Sequence, residues 1–470
     1  MYNINLSDEK LRYDITELLK LFIRPSEFRF DVPETGRTGS ADLEGDTGSA
    51  PGSGISIAFP DDAEDKNAVK RYYFDFMSSK TGYRPPWGIL TGVRPVKMVN
   101  EFFREGLDEP AIRTRLEKEY YLSGEKIDLL IETSRRQRSV NAVSCRDTAS
   151  IYIGIPFCPS RCVYCSFTSN QADEERARRY LTAMFSEMEY VAGAMKRLGL
   201  YAETIYIGGG TPTSLTEPQF EELVRKAGTL FDRSRLSEFT VEAGRPDTIT
   251  EQKLRAMVRY GCTRISINPQ SMHQKTLDAI GRRHSPEETA EAYSLVKRLT
   301  DFKINMDIIA GLPGETIDDF RYTLDRIIGF SPSNITVHTL ALKRSSRLRE
   351  ADEEYNYNNV SCVDEMTALS SRELHDAGYG PYYLYRQKQM AGNFENVGYS
   401  LPGDECIYNI RIMEEKQTNI AIGAGGISKL FYSNDDRLER IANVSNYEIY
   451  IERIAEMIQR KERMLFPENQ

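Results

Sequence analysis

Between Thr148 and Leu342 short apolar runs alternate with longer amphipathic stretches, and this alternation constrains the fold more than any other feature of the chain. The strand-like runs are Ile151 to Ile155, Thr204 to Ile207, Glu238 to Glu242, Arg264 to Ile267, Ile304 to Ile309 and Asn334 to His338. Helical spacing fills the intervals, as in Asp173 to Leu198 and Glu287 to Leu299. Repetition of strand, helix and strand makes βαβ units with parallel strands. Six such units predict an α/β fold, a partial (β/α)6 barrel, with its chemistry at the C-terminal strand ends.

The first strand runs straight into Cys158, Cys162 and Cys165, three thiols at C-x3-C-x2-C spacing on one short loop. Soft thiolates suit iron far better than a hard, oxygen-seeking cation. A four-iron cubane needs four ligands, so a three-cysteine loop leaves one iron open to a small molecule. Structural zinc is the plainer alternative, but it closes a tetrahedron of four ligands, and the neighbourhood offers no histidine or further cysteine. With seven cysteines in 470 residues, chance is a poor account of three so close together. The pattern favours an iron–sulfur cluster held by Cys158, Cys162 and Cys165. After the second strand comes Gly208-Gly209-Gly210-Thr211-Pro212, where adjacent glycines let a ligand approach the backbone closely.

Composition sets the outer bounds. The chain is 40% apolar and 28% charged with net charge -9, which allows two or three sizeable cores and argues against broad nucleic-acid binding. The N-terminus, MYNINLSDEKLRYD, has no apolar h-region, and no run of about eighteen apolar residues occurs, so neither secretion nor a membrane span is expected. An odd number of cysteines then points to a reducing cytoplasm rather than a disulfide framework. Cys145, Cys262, Cys362 and Cys406, scattered singly, read as small buried hydrophobes.

Residues 1–147 read as an α+β domain. A helix is expected over Leu11 to Phe22, strands over Phe28 to Val32 and Ile55 to Phe59, and a further helix over Lys66 to Met77. The Gly-, Ser-, Thr- and Asp-rich stretch 34–54 reads as a mobile loop. Tyr83 to Val96, YRPPWGILTGVRPV, is a shaped loop around the sole tryptophan. Trp87 and Arg94 either face a substrate or partner, or Trp87 packs an interdomain seam; packing is the commoner role of an isolated tryptophan. Helical, charge-rich sequence from Val99 to Arg138 leads into residues 148–342, the barrel.

IPFCPSRCVYCSF, at the cysteine loop, resembles the radical S-adenosylmethionine (SAM) signature, and specifically that of the oxygen-independent coproporphyrinogen III dehydrogenase group with its HemN, HemW and HemZ types. That resemblance implies a [4Fe-4S] cluster whose open iron is chelated by SAM, which is cleaved to a 5'-deoxyadenosyl radical. It places Tyr164 near the adenine, and Gly209, Gly210 and Thr211 of GGGTP at the methionyl part. Glu242, in VEAGRPD, falls on the ribose, where a carboxylate suits vicinal hydroxyls because it accepts two hydrogen bonds. Gln270 and Arg282 match further SAM-contacting positions and Asp307 the family's acidic position before GLP, and the resemblance implies that all three help to hold SAM. Tyr152 keeps the tyrosine of the family's YxHIPFC and counts with the cysteines among the catalytic groups. Gly154 stands where HemN types have His, and Ser166 and Phe167 where they have a further cysteine. The Trp87 loop is similar to HemZ-type proteins alone.

Residues 343–470 are expected to form an α+β cap over the barrel mouth. Lys343, Arg344, Arg347 and Arg349 are a basic cluster that either holds propionates through guanidinium forks or forms a solvated face. Pro381 to Gln389, PYYLYRQKQ, interleaves tyrosines with Arg386 and Lys388, a combination able to sandwich a ring and bind its acidic rim. Asn393 to Asn409 and Ala421 to Ser428 resemble the C-terminal region of the family, and the glycines of AIGAGGIS are read as approaching a second ligand.

The resemblance implies a cytoplasmic radical SAM oxidoreductase. Its expected reaction is oxidative decarboxylation of coproporphyrinogen III propionates to vinyl groups, giving protoporphyrinogen IX in haem biosynthesis, with an electron donor such as flavodoxin or ferredoxin. The alternatives are a HemW-type haem chaperone and another radical SAM enzyme acting on haem or a related tetrapyrrole.

Overall fold

In the computed structural model of the chain, the described residues are 1–6, 9–30, 55–58, 65–143, 145–165, 170–171, 173–341, 360–387 and 394–466. The loop expected at 34–54, Ser166 and Phe167, the basic cluster from Lys343 to Arg349, Lys388 and Asn393 lie outside them. The chain forms two compact units, Met1–Pro95 with Val99–Ile131 and Val96–Met98 with Glu132–Gln470.

The first unit is built on three parallel strands, β1 (Tyr2–Asn5), β2 (Phe28–Phe30) and β3 (Ile55–Ala58), in the order β2-β1-β3. Helix Arg12–Leu19 buries Ile15, Leu18 and Leu19 at helical spacing, and helix Lys66–Thr81 buries Val69, Tyr73, Phe74 and Met77. Fully burying each such side chain contributes about 1.5–3 kcal/mol. The longer helix starts at Asp65, whose carboxylate accepts the Asn67 N–H, and stops at Gly82 in the left-handed region (φ 68°). Trp87 is 1% exposed beneath the Lys126 ammonium, which removes it from any surface a substrate would reach. Gly88 (φ 53°) follows it, and a Cβ there would lie 2.1 Å from the Tyr120 carbonyl oxygen, so the chain can pass only as glycine.

The second unit contains the six parallel strands read from the sequence: β4 (Thr148–Ile155), β5 (Tyr201–Gly209), β6 (Glu238–Ala243), β7 (Arg264–Gln270), β8 (Lys303–Ala310) and β9 (Asn334–Thr339). They lie side by side in sequence order, with return helices Glu174–Leu198, Glu217–Leu230, Glu251–Arg259, Pro286–Leu299 and Ile317–Phe330. The sheet does not close on itself, so this is a partial barrel. The open rims at β4 and β9 would leave a row of backbone donors and acceptors unpaired, and the segment expected as a cap meets that demand. β10 (Gly380–Arg386) and β11 (Glu395–Ser400) extend the sheet beyond β9, and β12 (Thr418–Ile422), β13 (Ile427–Tyr432) and β14 (Arg437–Ala442) extend it beyond β4. β12 is parallel to β4 and β11 antiparallel to β9. Residues after 342 therefore complete the barrel's own sheet, because the edges need partners. Among the described residues no helix is long and apolar enough to cross a membrane.

Parallel strands covered on both faces are expected to be apolar throughout, so the partly exposed positions stand out. In β4 every residue is buried except Tyr152, in β6 every residue except Glu242, and in β9 every residue except His338. The interior exceptions are Tyr206 in β5, Asn268 in β7, and Asn305 and Asp307 in β8. Tyr152 stands in register with Tyr206. All of these side chains line one cavity at the C-terminal half of the strands.

Beneath that cavity a buried polar network ties the added strands to the barrel. Arg411, from helix Ile407–Glu414, grips Glu203 of β5 with two hydrogen bonds of 2.9 and 2.7 Å. Gln417, just before β12, donates to Glu203 and to Thr148 and accepts the Ser150 hydroxyl. Removing one partner of a buried pair leaves the other charge uncompensated, at a cost of about 3–5 kcal/mol. Arg411→Met is therefore expected to lower the urea midpoint of the full chain clearly; an unchanged midpoint would show that the network does not hold the added strands.

Candidate active site

The cavity has a volume of about 440 Å³ and collects every site residue expected from the sequence: Tyr152, Cys158, Cys162, Tyr164, Cys165, Gly209, Gly210, Thr211, Glu242, Gln270, Arg282 and Asp307. It also gathers residues that the sequence did not single out, chiefly Tyr206, Arg245, Asn268, Asn305, His338 and Asn396. The signal for most of them was present as a polar residue inside an otherwise apolar strand. Their shared face becomes visible only when the strands are set side by side.

The cysteine loop is held by the backbone of its neighbour. The Gly210 N–H donates to the Ile155 carbonyl at 2.7 Å and the Thr211 N–H to the Phe157 carbonyl at 2.7 Å. A Cβ on Gly210 would lie 2.5 Å from the Phe157 oxygen and 3.0 Å from the Cys158 sulfur. The glycine at this position lets the turn after β5 close onto the thiol loop. The Thr211 hydroxyl lies 3.4 Å from the Cys158 sulfur. Burial pushes the Cys158 thiol up to about 11 despite that contact, and the neighbouring thiols push the same way; a cation bound there would have to displace its proton. Among the described residues none of the cysteines forms a disulfide. No three His, Cys, Asp or Glu side chains among them converge tightly enough to hold a single ion. All three thiols line the cavity.

The strand ends supply the rest of the wall. Glu242 accepts the Tyr206 hydroxyl at 2.5 Å and the Gly209 N–H at 3.1 Å. Burial raises its carboxyl to about 7; those two hydrogen bonds oppose the rise and nearby Asp307 adds to it. Gln270 ends β7 with φ 70°, rare for a residue other than glycine, and its buried side-chain oxygen has no hydrogen-bond partner in the protein. Arg282 donates to the Gly244 and Asn268 carbonyls at 2.9 and 2.6 Å and reaches the Tyr164 hydroxyl at 3.4 Å, while its buried Nε has no partner. Buried polar atoms are normally satisfied. Orphans at Gln270 and Arg282, three gathered thiols and a glycine cradle fit a cluster with a polar organic ligand beside it.

Several expectations for the C-terminal segment resolve differently. Tyr383, Tyr385 and Gln387 line the cavity, whereas Arg386, one residue out of phase, does not. Tyr383 and Tyr385 stack at 6.2 Å and 16°, and Gly398 makes room for the first ring, since a Cβ there would lie 1.8 Å from it. Gly423, in AIGAGGIS, closely approaches the chain itself. A Cβ on Gly423 (φ 97°) would lie 2.5 Å from the Gly154 carbonyl oxygen and 2.6 Å from the Tyr180 hydroxyl. Tyr180 in turn donates to the Gly154 carbonyl at 2.6 Å and accepts the Ala424 N–H at 3.0 Å. This contact braces the strand that feeds the cysteine loop.

The raised Glu242 carboxyl has a measurable consequence. Its folded value of about 7 exceeds its ordinary value of 4.5, so the folded chain keeps a proton that the unfolded chain releases. Its ionisation penalty is absent below pH 4.5, grows through that window and is complete above about 7. The urea midpoint of the wild type is expected to fall relative to Glu242→Gln as pH rises through this range and then to level off. A difference that stays constant with pH would show that Glu242 is not perturbed.

Residues 152–327 match the radical SAM superfamily. The chain is 42% identical over 396 residues to the oxygen-independent coproporphyrinogen-III oxidase-like protein HemZ of Bacillus subtilis, covering 83% of this chain and 78% of that protein. It is 32% identical over 195 residues to the heme chaperone HemW of Bacillus subtilis, covering 41% of this chain and 51% of that protein. Among solved structures it is similar to the coproporphyrinogen III oxidase HemN from Escherichia coli, a radical SAM enzyme, with a TM-score of 0.53 at 20% identity over 70% of this chain and 73% of that one. That likeness shows the shared partial-barrel fold. Identity at this level across most of both chains shows that the protein belongs to the HemZ-type, oxygen-independent coproporphyrinogen-III oxidase-like family of the radical SAM superfamily, whose cofactors are a [4Fe-4S] cluster and SAM.

Proposed function

We propose that this protein is a radical SAM oxidoreductase acting on a tetrapyrrole, and that its reaction is oxidative decarboxylation of coproporphyrinogen III propionates to vinyl groups. The observation that carries the reading is the continuity of one cavity, from the three thiols after β4 to the tyrosine-bearing wall of β9, β10 and β11. When bound, the reduced cluster and SAM would supply a carbon-centred radical, the hydrogen-abstracting chemistry that propionate decarboxylation with an external electron acceptor requires.

The chain's own residues have narrower tasks. Cys158, Cys162 and Cys165 would hold three irons and leave the fourth for SAM. Gly209 and Gly210 open the backbone to the methionyl part. Glu242 in its ionised form would accept the ribose hydroxyls, the unpartnered Gln270 oxygen would receive a further donor, and Arg282 would close the adenine end beside Tyr164. Tyr152, Tyr206 and Tyr408 pack together with ring centroids 6.2, 4.4 and 6.5 Å apart, and the first two turn an aromatic wall to the cavity. A one-electron donor of the flavodoxin or ferredoxin type would reduce the cluster.

A second reading, a haem chaperone, is favoured by the HemW similarity and by Gly154 in place of the HemN-type histidine. One anaerobic experiment separates the two. Protein with its cluster reconstituted is given reductant, SAM and coproporphyrinogen III, 5'-deoxyadenosine and porphyrin products are followed by mass spectrometry, and haem binding is titrated alongside by absorbance. Vinyl products that vanish in Cys162→Ala are expected. SAM cleavage without decarboxylation would move the substrate to haem or another tetrapyrrole. Tight haem binding with no SAM cleavage would overturn the enzyme reading in favour of the chaperone.

A further inference from the structure

His338 is the one partly exposed residue of β9, and it faces the cavity from the opposite side of the six-strand array to the cysteine loop. Its two ring nitrogens face acceptors. Nε2 is 3.6 Å from the Asp307 carboxylate, and Nδ1 is 3.3 Å from the Asn396 side-chain oxygen. The Asn396 oxygen is fixed as an acceptor because it receives the Thr339 N–H at 3.0 Å, and the Asn396 amide nitrogen points to the Tyr385 carbonyl at 3.4 Å. Asp307 also accepts from Asn305 at 2.7 Å, which anchors its charge. A ring between two acceptors is stable with both nitrogens protonated. Burial alone would lower the His338 value, yet Asp307, Asn396 and the more distant Glu242 raise it overall.

This protonation state decides what Tyr385 can do. Its hydroxyl lies 3.4 Å from Nδ1. A protonated Nδ1 cannot accept, so the phenol hydrogen turns away from His338 and into the cavity. Burial, with Asp307 and Glu242 nearby, raises the phenol's value, so the oxygen stays protonated and remains a donor. Behind that donor stands a cationic ring whose counter-ion is engaged on its far side. The phenol is then a hydrogen-bond donor open to an acceptor oxygen in the cavity.

We infer that Tyr385 donates to a carboxylate of the substrate and that His338 is the positioning residue which directs its hydroxyl there, an inference that rests on the tetrapyrrole reading by assigning one acidic side chain of the ring to this end of the cavity. A charge-assisted hydrogen bond of this kind contributes roughly a factor of ten in affinity.

The test uses full-length protein and two probes, coproporphyrin III and its tetramethyl ester, in the same dilute detergent, with binding read from the shift of the porphyrin absorbance band. Tyr385→Phe, which removes a single oxygen and spares the packing, is expected to weaken the free acid about tenfold and leave the ester unchanged. His338→Phe is expected to lose the same acid-over-ester preference, and the double variant to be no weaker than either single one. SAM affinity should stay at the wild-type level in Tyr385→Phe. Equal loss of acid and ester, or no loss of either, would overturn this inference and leave the tetrapyrrole reading standing. Failure of the wild type to bind either porphyrin would overturn the tetrapyrrole reading and this inference with it.

Discussion

The cysteine loop carries no regular secondary structure between its thiols, so its shape depends on what it leans against. The Gly210 and Thr211 amides meet the carbonyls that lead into the loop, and the missing Cβ of Gly210 permits the approach. Everything else in the cavity follows from that docking. The same turn donates the Gly209 N–H to Glu242, and so fixes the carboxylate of the next strand relative to the thiols. On the other flank the Tyr180 hydroxyl ties the Gly154 carbonyl to the glycine turn after β12. The site is preorganised by backbone contacts on both sides of β4, before any cofactor arrives.

Electrostatics divides the cavity in two. Near the thiols, two buried polar atoms, the Gln270 oxygen and the Arg282 Nε, have no hydrogen-bond partner in the protein. His284, buried beside Arg282 and Arg245, is pushed down to about 3 by burial and those two cations, and stays neutral. Across the sheet, the polar groups are matched to one another, Asp307 with His338 and Asn305, and Asn396 with Thr339. Orphaned atoms belong where a ligand with its own donors and acceptors is expected, whereas a self-satisfied network belongs where one defined contact must be aimed. The arrangement matches a polar cofactor end and a substrate end.

Much of this was legible in the sequence, for physical reasons. Alternating periodicity fixes the order and direction of parallel strands, and the barrel rule then assigns residues at their C-terminal ends to one place; the residues from Tyr152 to Asp307 that the family resemblance singled out share the cavity there. What escaped depends on neighbours distant in sequence. Tyr206 and His338 resemble ordinary strand residues until β5 meets β6 and β9 meets β11. The glycines of AIGAGGIS signal a close approach, but not whether a ligand or the Gly154 carbonyl is approached. The strands after residue 342 read as a separate layer because an unpaired sheet edge leaves no mark on the sequence of the strand that will cover it.

The central claim is that three thiols and these strand ends hold one cluster with a single open iron facing SAM. Electron-nuclear double resonance on the reduced, reconstituted protein, with SAM labelled at its amino nitrogen or carboxylate oxygen, tests this directly. Hyperfine coupling of the label to an intact four-iron cluster is the predicted result. An intact cluster without such coupling, or stoichiometric zinc in place of iron, would contradict it.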